Sequence, residues 1–240
     1  MKTVLFGGTA EGRALAERLM RDTGELLVCV TSEYARALLP GEVNCRVGVL
    51  DEQAMLRLLA DERPDRVIDA THPFAVRVTE NIRRCCSRLG IACERVERSR
   101  GDHTWQECVE WVKDTAGAVK ALERTQGNVL LTTGSHTLGQ YAAALPAQRL
   151  YARVLPTSRV LSMCEELNLL PGHVIAMQGP FTAALNAALY DMLDIRAMVS
   201  KDSGAAGGVP EKVLPALERG IHVIMIARPA GGGSADGSNA

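Results

Sequence analysis

Aromatic residues are scarce, at 4% of 240 residues, and neither charge sign prevails, since 27 Lys and Arg stand against 28 Asp and Glu. Without a basic field, no nucleic acid or membrane partner is expected, and any anionic ligand has to be met by a local cluster. No apolar run reaches the length needed to span a bilayer. The amino terminus turns polar by Glu11 and does not read as a secretion signal, so a cytoplasmic protein is expected. The seven cysteines (Cys29, Cys45, Cys85, Cys86, Cys93, Cys108 and Cys164) include no C-x-x-C pair. Their odd number and apolar settings fit buried free thiols in a reducing compartment. No constellation with metal-ligand spacing is visible, and no metal is expected. Also missing is Tyr-x-x-x-Lys: none of Tyr34, Tyr141, Tyr151 or Tyr190 has Lys four places on, which argues against a short-chain dehydrogenase or sugar-nucleotide epimerase.

What is present is an alternation of strands and helices. Val4, Leu5 and Phe6 form an uninterrupted apolar run suited to a strand buried on both faces, broken at once by Gly7-Gly8-Thr9. A helix follows, with Leu15 and Leu19 on one face and Glu11, Arg13, Glu17 and Arg18 filling the other. Strand, glycine turn and helix start together place backbone N–H groups at the positive end of a helix dipole, where nucleotide phosphates bind. The strict G-x-G-x-x-G fingerprint is not met, because Thr9 stands at the second glycine and only Gly7, Gly8 and Gly12 are there. A P-loop fails too, with Arg13 and Ala14 in place of Lys and Ser/Thr. The same glycines also serve an ordinary tight turn.

Further strands are read at Leu26 to Val30, Val43 to Val49, from Arg66, and at Ile91 to Val96. Thr31, Ser32 and Arg36, after the second strand, lean towards the 2′-phosphate of NADP, with Glu33 against; a plain helix cap is the competing reading. Asp51 is expected to cap a helix. In Thr71-His72-Pro73-Phe74, Pro73 suits a first helical turn, which puts Thr71 and His72 at a strand's carboxyl end, as cofactor or substrate ligands or as a proton source. A structural histidine is the alternative. Residues 96 to 127 are less regular; Trp105 and Trp111 are expected to pack over a sheet edge, and Arg98, Arg100 and His103 read as a solvated loop or a cationic rim.

The second half echoes the first. Val129-Leu130-Leu131-Thr132-Thr133-Gly134 repeats strand then small-residue turn, and further units run to a last strand at Ile221 to Ala227. This gives an α/β fold of two Rossmann-like domains with mainly parallel sheets and a ligand cleft between them. The expected domains are 1–125 and 126–229, with the last strand free to pair in either sheet, and a low-complexity tail over 230–240. Gln178-Gly179-Pro180-Phe181 opens a helix expected to start at Phe181. Lys201, Asp202 and Ser203 lie in a glycine-rich loop at a strand end and supply a cation, an acid and a hydroxyl for anchoring an anion or relaying a proton.

The ordered set G-G-T-x-E-G-R, V-I-D-A-T-H-P-F-A, L-L-T-T-G-S, R-V-L-P, Q-G-P-F and K-D-S-G-x-x-G-G resembles the precorrin-6A and cobalt-precorrin-6A reductases of cobalamin biosynthesis, from Val4 to Pro229. Two departures stand out: Arg95-Val96-Glu97-Arg98-Ser99 lacks a proline common in the family, and His136 replaces a Lys or Arg. The resemblance implies hydride transfer from NADPH, with NADH possible, to one double bond of a tetrapyrrole. It places Gly7, Gly8, Thr9, Glu11, Gly12, Arg13, Thr31, Ser32, Thr71, His72, Thr132, Thr133, Gly134, Gln178 and Gly179 around the cofactor. Arg98, Arg153 and Lys201 would meet substrate carboxylates, and Asp202, Ser203, Lys201 and His72 form the catalytic set, with Asp202 or water as proton donor. Such an enzyme is expected to work as a monomer or weak homodimer. A nucleotide-sensing regulatory module without catalysis is the alternative, but it would leave the K-D-S-G loop without purpose.

Overall fold

The computed structural model describes residues 1–22, 24–41, 43–96, 104–204 and 207–229. These fall into two compact units: the first takes in residues 1–96 and Pro229, the second residues 104–228.

In the first unit β1 (Lys2–Phe6), β2 (Glu25–Val30), β3 (Asn44–Val47), β4 (Arg66–Asp69) and β5 (Ala92–Arg95) form one parallel sheet in the order β3-β2-β1-β4-β5. The helices α1 (Ala10–Arg21), α2 (Glu33–Arg36), α3 (Glu52–Glu62) and α4 (Val76–Leu89) connect them. Successive strand residues point to opposite faces, and the core divides accordingly. Leu5, Val28 and Ile68 pack with Leu15, Ala16 and Leu19 of α1. Val4, Phe6, Leu27 and Val67 pack with Met55 and Leu59 of α3 and Ile82 of α4. Both faces being covered explains why β1 carries no polar alternation.

The second unit holds β6 (Glu110–Val112), β7 (Asn128–Leu131), β8 (Leu150–Val154), β9 (Val174–Ala176), β10 (Ile195–Lys201) and β11 (His222–Ile226), again all parallel, in the order β6-β11-β10-β7-β8-β9. Its helices are α5 (Thr115–Glu123), α6 (Leu138–Ala144), α7 (Ser158–Glu166), α8 (Ala183–Met192) and α9 (Val209–Leu217). Leu130, Met198, Val223 and Met225 of the sheet pack with Tyr190 of α8, with Val209, Val213 and Ala216 of α9, and with Trp105.

Several boundaries differ from the sequence reading. The division falls upstream of 125/126, because β6 pairs with β11 and so belongs to the second sheet together with α5. The last strand pairs there alone, between β6 and β10. Trp111 lies on the edge strand β6, and Trp105, whose ring stacks on it at 6.4 Å, is buried in the core instead. Pro73 does not open a helix: residues 71–75 form a turn, and α4 starts at Val76. The helix read from Phe181 starts at Ala183, capped by Thr182. All seven cysteines are free, but Cys93 and Cys108 are exposed rather than buried. Arg98, Arg100, His103 and the 230–240 tail lie outside the described residues. Among the described residues, no helix is long and apolar enough to cross a membrane.

Candidate functional site

In an open parallel sheet the chain winds one way from its first strand and then the other, and the gap where the direction reverses lies at the strands' carboxyl ends. In the first unit that point falls between β1 and β4, and in the second between β7 and β10. Four motifs singled out in the sequence follow these four strands.

After β1, Gly7 N–H still bonds to Cys29 at 3.0 Å, and Gly8 turns the chain at φ +122, a conformation for which glycine is suited. Thr9 caps α1, its hydroxyl accepting from Gly12 N–H at 3.1 Å while donating to the Ala70 carbonyl at 3.2 Å. A Cβ on Gly12 would come within 3.2 Å of Gly7 Cα and 3.6 Å of Ala70 Cβ, so a small residue is needed for the turn to close against the chain leaving β4. The turns after β1 and β4 are thereby tied together. Glu11 and Arg13 fall in the first turn of α1.

The turn after β4 rests on Asp69, which is 1% exposed. Its carboxylate pairs with Arg95, the residue beside it in the β4–β5 register, and accepts from Thr71 through both the N–H at 3.0 Å and the hydroxyl at 2.7 Å. Arg95 also donates to Thr79, which lies 3.3 Å from the Thr71 hydroxyl. His72 is built into the same turn: Nδ1 accepts from Phe74 N–H at 3.2 Å, and the His72 carbonyl accepts from Ala75 N–H at 2.8 Å. An acceptor Nδ1 leaves the neutral ring's proton on Nε2. At the end of β2, Ser32 caps α2 by accepting from Ala35 N–H, and Arg36 pairs with Glu33 at 3.5 Å. The cap reading of Ser32 therefore holds locally, while Thr31 is exposed beside it.

In the second unit, Thr132 continues the ladder past β7, its N–H and its hydroxyl both donating to Val199 at 2.9 Å. Thr133 is buried and its hydroxyl lies 3.0 Å from that of Thr137. Gly134 adopts φ +80 with ψ 173, a region open essentially to glycine alone, with nothing near where a Cβ would stand. His136 is exposed in the turn that follows. Across the switch point, Lys201 ends β10, and burial lowers its pKa from the usual lysine value. Asp202 N–H bonds to Ile226, and its carboxylate lies 3.2 Å from Nε of Arg228, which also donates to the Asp202 carbonyl. Asp202 thus ties the loop to the chain just beyond β11. Ser203 is buried beside it.

Gln178 and Gly179 follow β9, and Gly179 joins Pro180 through a cis peptide bond. Arg153 on β8 is buried, reaching Asn186 of α8 and lying over the Phe181 ring. Asp69, Arg95, Thr79 and Asn186 were not singled out from the sequence, because each acts through a partner that only the fold brings near.

The precorrin-6x reductase CbiJ/CobK family matches residues 2–240. The cobalt-precorrin-6A reductase of Salmonella typhimurium is 36% identical over 230 residues, covering 94% of this chain and 87% of that protein. The precorrin-6A reductase of Rhodobacter capsulatus is 31% identical, covering 95% and 88%. The solved structure of a CobK precorrin-6A reductase superposes with a TM-score of 0.78 at 27% identity, covering 96% of this chain and 89% of the other. Matched by the family along residues 2–240 and 36% identical to one of its curated reductases, this chain belongs to the precorrin-6x reductase CbiJ/CobK family.

Proposed function

We propose that this protein reduces one carbon–carbon double bond in the macrocycle of precorrin-6A, or of its cobalt form, during cobalamin biosynthesis in the cytoplasm. The observation that carries the reading is the family match along 2–240, coupled to glycine turns at two switch points. A reduced nicotinamide, when bound, supplies the hydride. The first-unit turn fits such a group: Gly8 keeps the backbone bare, Gly12 lets the turn close against the chain leaving β4, Thr9 fixes the start of α1, and the helix dipole favours phosphate there.

NADPH is the proposed form of the cofactor. The end of β2 offers the hydroxyls of Thr31 and Ser32, and Arg36 engages Glu33, the acid that would otherwise favour NAD. Reduction also needs a proton at the neighbouring carbon. Lys201 is the proposed source, since burial eases deprotonation of its ammonium and Asp202 is engaged by Arg228. Gln178, Ser203, His72 and Thr71 are proposed to orient the bound molecules. The tetrapyrrole is the only partner proposed, with the enzyme a monomer or weak homodimer.

Anaerobic titration with NADPH and NADH, followed by precorrin-6A and its cobalt form, tests the reading. The expected result is stoichiometric loss of nicotinamide absorbance with a matching macrocycle change, and tighter binding of NADPH. Cofactor binding without oxidation by either tetrapyrrole would overturn the assigned reaction.

A further inference from the structure

A charge taken out of water has to be compensated, and among the described residues Arg153 of β8 lacks a compensating charge. The residue is 6% exposed, and among the described residues no carboxylate pairs with it. Neutral groups hold it instead. Nη1 donates to Oδ1 of Asn186 at 2.6 Å, and the guanidinium centre lies 4.1 Å from the centroid of the Phe181 ring. Asn186 is fully buried, and its amide can point only one way: Nδ2 donates to the carbonyls of Thr182 and Glu211, each at 2.9 Å, which turns the oxygen to Arg153. The ring is located just as closely, since a Cβ on Gly179 would come within 3.0 Å of two Phe181 ring carbons.

A guanidinium offers five N–H donors in a planar fork. One is given to Asn186, and the others meet no acceptor among the described residues. Burial works against the charge, lowering the Arg153 pKa. Were the site only packing, an apolar side chain of similar volume would serve at least as well. A rigid fork with vacant donors is instead suited to two-point recognition of an oxyanion.

We propose that Arg153, clamped between Asn186 and Phe181, forms a preorganised socket for one carboxylate of the substrate, with Asn186 as the residue that aims the fork. The proposal rests on the reductase reading only for the identity of the molecule bearing that carboxylate.

The test compares wild type with Arg153→Met, Phe181→Leu, Asn186→Ala and the Asn186→Ala/Arg153→Met double variant. It reads binding of uroporphyrin, a stable tetrapyrrole polycarboxylate, together with NADPH binding, thermal midpoint and the KM for precorrin-6A. R153M is expected to lose about 10- to 100-fold in uroporphyrin affinity, the scale of charge-assisted hydrogen bonds. Its midpoint should hold or rise, and its NADPH affinity should not change. F181L is expected to weaken uroporphyrin binding less than R153M while retaining the fold. If Asn186 acts through Arg153, N186A adds nothing to the affinity loss of R153M, whereas independent roles would add. A lower midpoint with wild-type affinity in R153M would make Arg153 a packing residue and overturn the socket. Loss of NADPH affinity in place of uroporphyrin affinity would assign the fork to a cofactor phosphate and overturn it as well, as would failure of the wild type to bind uroporphyrin. If precorrin-6A is not reduced but uroporphyrin binding still depends on Arg153, the reaction fails and the socket stands. Turnover with an unchanged KM in R153M has the opposite meaning.

Discussion

Lys201 ties the titration of the protein to its proposed chemistry. Burial disfavours its ammonium, so its pKa in the folded chain lies below the ordinary 10.5. Between those two values the unfolded chain binds more protons than the folded one, so this group makes stability rise with pH across that window. Below the window it carries the full cost of a desolvated cation. Lys201→Met is therefore expected to be more stable than wild type at neutral pH, with the advantage shrinking as pH climbs towards 10.5; urea unfolding at several pH values reads this. Turnover should move the other way. If Lys201 delivers the proton, the wild-type rate falls on an alkaline limb lying below 10.5, and K201M loses about 10²- to 10⁴-fold in kcat together with that limb. A K201M enzyme with the wild-type pH profile would remove Lys201 from the proton path.

At the scale of elements, two helix caps separate stability from binding. Asp51 caps α3 by accepting from Ala54 N–H at 2.7 Å, and Thr9 caps α1 in the same manner. Losing either should cost about 1 kcal/mol. Asp51→Ala is expected to show that loss and nothing else. Thr9→Val also removes the bond to the Ala70 carbonyl, which ties the turn after β1 to the chain leaving β4, so it should weaken NADPH binding as well. Equal NADPH affinity in the two variants would detach Thr9 from the cofactor. Thr9 reads in the sequence only as part of a glycine turn, but the Asp51 cap could be read there, because a polar cap followed by helical spacing is a local pattern. So could β1, β2, β7 and β10, whose apolar runs reflect burial on both faces. By contrast β6 is only Glu-Trp-Val, too short for a period to register, and it is a strand because β11 lies beside it. The same limit hid Asp69: between Ile68 and Ala70 it reads as one more residue of a strand, while its partner Arg95 is 26 residues away and is brought near by the β4–β5 register. Asn186 is 33 residues from Arg153 and sits on a helix face that reads simply as buried.

The whole molecule depends on where the chain returns. β11 comes last yet lies inside the second sheet, with β6 on one side and β10 on the other. It contributes Val223 and Met225 to the core that buries Trp105, and the residues just beyond it bring Arg228 to Asp202. A chain ended at Gly220 would lose all of these together and leave β6 without its neighbour. Both tryptophans of the protein, Trp105 and Trp111, lie in this unit, so indole emission reports on it alone. The shortened chain is expected to emit at longer wavelength, near that of the urea-unfolded protein, because Trp105 passes from 5% exposure into water. Emission unchanged from the full chain would mean that β10 and β7 can hold the second core without the final strand.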